Sequence, residues 1–138
     1  MNQDTPALGA FILRVTLGAV LLAHGLLLKI MTFGLAGTMG YFGSLGFPPV
    51  LGAVVALAEA AAGVALILGL WVRPVSLLLL PILVGATWQH IGNGWLFTRP
   101  GGGWEFPLVL VMMALAQAAL GAGAFALRPP VLARPKAA

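Results

Sequence analysis

The chain has 138 residues, 61% of them hydrophobic and 7% charged, with a mean hydropathy of +1.07 and a net charge of +4. Soluble domains carry about 25% charged residues, so a water-soluble globular protein is excluded. The basic residues are scattered, three of the seven lying after residue 127, which gives no support to nucleic-acid binding, and the absence of cysteine removes disulfides, thiolate metal sites and thiol relays.

Residues 1–7 form a short polar lead, disordered or interfacial. The first apolar run predicts a helix over about 8–28, close to the ~20 residues a bilayer requires. It lacks the basic start and small-residue cleavage site of a signal peptide, and Arg14 interrupts it, so it reads as a retained helix. Arg14, His24 and the closing Lys29 lie on this run, and a cation buried in lipid is costly unless it finds a partner.

Met31 to Pro49 is too polar and glycine-rich to span. Its aromatics Phe33, Tyr41, Phe42 and Phe47 predict a loop lying in the interface or partly re-entrant. A second span runs over about 50–70 with Glu59 near its middle. Gly52, Ala56, Ala60 and Gly63 give it a small-residue face that lets another helix approach and turns Glu59 inward. The third span, about 75–91, contains Pro81, which predicts a kink, and ends near His90. After a second glycine-rich loop, the fourth span covers about 104–127, with Glu105 and Pro107 suited to its first turn and a small-residue face of Met112, Ala116, Ala119 and Gly123. The tail after residue 127 is basic, Pro-rich and reads as unstructured.

This pattern predicts an all-α membrane protein, an antiparallel four-helix transmembrane bundle forming one unit over residues 1–138. With both termini in the cytoplasm, the inner side holds Arg14, Arg73, Arg128, Arg134 and Lys136, against Lys29 and Arg99 outside. The positive-inside rule therefore favours that orientation in an inner (plasma) membrane.

The polar residues then fall into two levels. His24, ~6 Å below the outer end of the first helix, shares a layer with His90 and Glu105, with Lys29 and Trp104 above. Glu59 lies deeper, about 13 Å from the outer end of its helix, near the level of Gln117. Arg14 either snorkels to the inner headgroups or bridges to Glu59. Two imidazoles on facing helices suit a quinone carbonyl, proton exchange or, with less in its favour, axial ligation of haem. Two His and one Glu without fixed spacing do not make a metal site.

Arg14, His24-Gly25 and Lys29, then Phe42, Gly46-Phe47-Pro48, Glu59, Gly69-Leu70, Arg73, His90 and Gly102-Gly103-Trp104-Glu105-Phe106-Pro107, form an ordered set that resembles the DoxX family over about residues 9–127. The resemblance implies a four-helix membrane unit, in a family named after a subunit of a thiosulfate-oxidising quinone oxidoreductase system. On that footing the first reading is a membrane redox component with a quinone-type head group between its helices. His24, Glu59, His90 and Glu105 would carry its proton chemistry; Arg14, His24, Lys29, His90 and Trp104 would hold the head group; and a partner redox subunit would exchange the electrons. A second reading is a non-catalytic anchor or assembly factor, able to self-associate through its small-residue faces. A third, a transporter or proton pathway, rests on Glu59 alone.

Overall fold

The structure is a computed structural model that describes residues 4–127, so the expectation for the tail lies outside the described residues. Helix α1 (Asp4–Leu22) begins with an acidic residue at its positive dipole end and a proline in its first turn, where the missing N–H is not needed. The helix does not stop at Leu28. It continues as a π-helical segment, Ala23–Thr32, whose wider turns are seen where the Phe33 N–H donates to the Leu28 carbonyl at 2.9 Å and the Thr32 hydroxyl to the Leu27 carbonyl at 2.7 Å. Such turns are rare and gather near functional positions. Here they draw Lys29 into the helix instead of leaving it at the interface.

The glycine-rich stretch expected as a loop contains a helix, α2 (Leu35–Ser44), set off by Gly34 at φ 74° and Gly46 at φ 87°. Next come α3 (Pro49–Leu68) and α4 (Val72–His90), the latter running through Pro81 and closing in a 3-10 turn, Ile91–Asn93. Their tight connection takes left-handed backbone at Gly69 and Trp71. Helix α5 (Glu105–Leu120) is shorter than the expected 104–127, because Gly121 leaves helical geometry at φ 82°. Residues 121–127 instead fold back, the Ala124 N–H donating to the Ala7 carbonyl at 2.9 Å and the Leu127 N–H to that of Leu68 at 3.0 Å.

Among the described residues the chain is helical with no strand. Three helical stretches, Asp4–Thr32, Pro49–Leu68 and Val72–Asn93, are long and apolar enough to cross a membrane. The closest helix pairs are α4 with α5 and α1 with α3. Both run antiparallel, since Gly18 and Gly25 meet Gly63 and Ala56 respectively, while Arg73 and His90 meet Ala119 and Gly102. The α1–α3 seam is backbone on backbone. A Cβ on Gly25 would sit 2.5 Å from the Ala60 nitrogen, and one on Gly63 would sit 2.6 Å from that of Leu22. Small residues permit this approach, so the small-residue face of α3 is spent within the chain. Leu17, Leu21, Leu66, Leu79, Leu83, Leu110 and Ala114 fill the centre.

The helix ends define two ends of the molecule. The turn end holds the α3–α4 connection and residues 121–127; the loop end holds the π-helical segment, α2 and the 94–104 loop.

Candidate functional site

Side chains on a helix lean toward its N-terminus, and that lean decides which charges meet. Lys29, on the π-helical continuation of α1, leans toward the turn end. Glu59, on antiparallel α3, leans toward the loop end. They converge, with Lys29 Nζ 2.5 Å from Glu59 Oε2. Arg14 leans away from Glu59, so the expected Arg14–Glu59 bridge is not formed, and neither is the snorkelling alternative. Fully buried, Arg14 donates to the carbonyls of Leu66 (2.8 Å), Ile67 (2.7 Å) and Ala124 (3.0 Å). The first two lie at the C-terminus of α3, where carbonyls lack helical partners and the dipole favours a cation. The sequence held this signal in the direction of each helix, which a depth count ignores.

At the loop end, a cavity of about 970 Å³ opens between the π-helical segment, α2, α3, α4 and the start of α5. It brings His24, Lys29, Glu59 and His90 to one wall system, with Phe33, Tyr41, Phe42, Phe97 and Phe106 among the remaining lining. Each part has a local cause. Lys29 is steadied through its own carbonyl, which accepts from the buried Thr38 hydroxyl of α2 at 2.8 Å. The His24 ring stacks on Phe106 with centroids 5.8 Å apart. His24 Nδ1 lies 2.8 Å from the Val20 carbonyl, and His90 Nδ1 lies 2.7 Å from that of Ala86, so each imidazole is fixed by the carbonyl four residues earlier on its own helix. Asn93 donates to the Gly101 and Gly102 carbonyls at 3.1 and 2.8 Å, holding the 94–104 loop over His90.

Three expected site residues, Glu105, Trp104 and Arg14, lie outside this lining. Glu105 Oε1 accepts from the Phe97 N–H at 2.8 Å, so it pins the loop whose Phe97 faces the cavity. Trp104 packs edge-on against Trp95 at a centroid distance of 4.4 Å and supports the same loop. Arg14 belongs to the other end altogether. Thr38 and Phe106, which position Lys29 and His24, were not foreseen as site residues; the aromatic density of 33–47 was the available sign that this stretch packs on the site. Among the described residues, no three His, Cys, Asp or Glu side chains gather so as to hold a metal ion.

The arrangement pairs one partly buried ammonium–carboxylate couple and two fixed imidazoles with an aromatic wall. Chemically, it can hydrogen-bond a flat polar head group and exchange protons with it.

Comparison with known proteins bears on residues 9–91, which match the DoxX family model and include Arg14, His24, Lys29, Glu59 and His90. Trp104, Glu105 and α5 lie beyond the matched stretch. "Putative oxidoreductase CatD" of Bacillus subtilis (strain 168) is 38% identical over 79 residues, which cover 57% of this chain and 57% of that protein's length. No solved structure matches. With more than half of its length matched and its apolar helices in place, the chain is an integral membrane protein that belongs to the DoxX family.

Proposed function

We propose that this protein is a redox-associated membrane component, a four-helix transmembrane unit with both termini cytoplasmic in the inner membrane, whose loop-end cavity holds a quinone-type head group. The cavity itself carries the reading. Its ~970 Å³ is at the upper end of the range of small-molecule sites, and its lining joins apolar and aromatic walls to a few convergent polar groups. His24, His90 and Lys29 would hydrogen-bond the head group, Glu59 would neutralise Lys29 and accept protons, and Phe106 would pack against the ring plane. When bound, the quinone would supply reversible electron and proton transfer. The electrons would pass to or from a partner subunit. The relative's name, which calls it an oxidoreductase, points the same way.

The test is to purify the protein in mild detergent, extract it and search for lipid-soluble molecules by mass spectrometry, beside a His24→Ala/Glu59→Gln variant. The expected result is a quinone retained by the native protein and lost from an equally folded variant. A Soret band in the visible spectrum would move the reading to haem held by the same imidazoles.

A second reading, an anchor or assembly factor for a partner enzyme or a second copy, has one specific observation in its favour. Met112, Ala116 and Ala119 lie on an exposed strip of α5. No quinone in either preparation, with both folded, would favour this reading.

A further inference from the structure

The two cavity histidines are set in the same way, and the setting has a chemical consequence. A carbonyl oxygen can only accept a hydrogen bond, so Nδ1 carries the hydrogen in both His24, against Val20, and His90, against Ala86. A neutral imidazole has one N–H. Nε2 of each ring is therefore a bare lone pair, and neither has a protein partner among the described residues. Both rings line the cavity, and Gly102 lies beside the Nε2 edge of His90, where a Cβ would come within 3.7 Å. Glu59 adds a third acceptor, since Oε2 is taken by Lys29 while Oε1 has no partner among the described residues. Against these stand the Lys29 ammonium, one of whose three hydrogens goes to Glu59, and the hydroxyl of the exposed Tyr41, which can donate or accept. The cavity's fixed polar groups are mostly acceptors.

We infer that the cavity selects the hydroxyl-bearing, reduced form of its head group: a hydroquinone-type diol that donates to Nε2 of His24 and His90. This rests on the reading of the cavity as a head-group site. A quinone presents two carbonyl oxygens, which would face the imidazole lone pairs and lose the hydrogen bonds they made in water. A diol presents two O–H groups of the matching sign. The selection needs no further residue to set the tautomers, because each helix supplies its own carbonyl.

The experiment compares a short-chain benzoquinol with the matching benzoquinone, bound under argon to the full chain in lipid nanodiscs at pH 8, where an ordinary imidazole is neutral. Nitrogen-15 NMR of labelled histidine reports the tautomer in the same samples. The expected result is quinol binding about tenfold tighter than quinone, the difference of roughly one satisfied hydrogen bond. In the NMR spectra both rings carry hydrogen on Nδ1, and the Nε2 signals shift when quinol is added. In His24→Gln/His90→Gln, the amide at the ε position can donate or accept, so the preference falls toward one while binding persists in weaker form. Equal or tighter quinone binding, or hydrogen on Nε2 in the free protein, overturns the inference and leaves the cavity reading standing. Binding of neither form overturns both.

Discussion

Two buried polar regions sit at opposite ends of the same bundle, and they solve the burial of charge in opposite ways. At the turn end, Arg14 has no carboxylate partner among its hydrogen bonds. Its charge is met by carbonyls at the end of α3 and in the 121–127 segment and by the Phe11 ring, whose centroid lies 5.3 Å from the guanidinium carbon. The buried Ser76 and Gln117 also keep unpaired atoms, Ser76 Oγ and Gln117 Oε1 having no hydrogen-bond partner among the described residues. Neither residue lines the loop-end cavity, however, and Gln117 donates its amide N–H to the Gly121 carbonyl. At the loop end, Lys29 and Glu59 neutralise one another, and two imidazoles are held rigid with one nitrogen each left over. The first region ties three elements together. The second leaves hydrogen-bonding capacity beside a cavity. What separates scaffold from site in this protein is the presence of unspent polar atoms facing space, not the burial of charge.

The largest expected effect is at the turn end. Arg14→Leu strips the partners from several buried carbonyls and should lower stability by about 3 kcal/mol. Thermal unfolding in detergent checks the loss, and the fraction that remains folded should bind head group as the native protein does. A folded Arg14→Leu protein without ligand affinity would break the division between the two ends. Next is the ion pair. Glu59→Gln leaves the Lys29 ammonium unpaired in a largely buried place and should cost about 2 kcal/mol, discounted from the fully buried case because Lys29 keeps 19% of its side-chain surface. Lys29→Met/Glu59→Leu should recover most of that stability, but not ligand affinity. A double-mutant cycle on unfolding and on binding separates the two roles.

A smaller change is expected from either histidine. His24→Ala and His90→Ala should each weaken head-group binding about tenfold while moving stability by less than about 1 kcal/mol. The smallest is Glu105→Gln, whose amide oxygen can still accept from Phe97. Its cost should be about 0.5 kcal/mol in an unfolding titration, with ligand affinity nearly unchanged. A large affinity loss at Glu105 would return it to the chemistry that the sequence first assigned it.

Much of this was legible before any coordinates. Apolar runs marked where the long helices lie, and counting residues from helix ends put His24 and His90 on one level, where the cavity collects them. The ion pairing was not legible from depth alone. Arg14 and Glu59 stood within reach of each other by rise per residue, but the N-terminal lean of side chains on antiparallel helices sends them apart and brings Lys29 to Glu59. Helix α2 escaped because glycine is a poor helix former, and its ten residues are held by tertiary packing that no local signal carries. At Gly52, a Cβ would come 2.9 Å from the Thr38 carbonyl, which shows how closely α3 receives α2. The end of α5 was missed for a related reason. Ala124 and Phe125 suit a helix by hydropathy, yet the chain gains more by turning at Gly121 and supplying the Ala124 carbonyl to Arg14.

The most direct test of the two-ended account is photoaffinity labelling of the intact protein in nanodiscs with an azido-quinone, followed by mass spectrometry of the labelled peptides. The account predicts adducts within residues 24–42 and 86–107, suppressed by excess unlabelled quinone and more strongly by the matching quinol. Competable adducts centred instead on Arg14, Ser76 or Gln117 would place the ligand in what is here the scaffold, and would contradict the account.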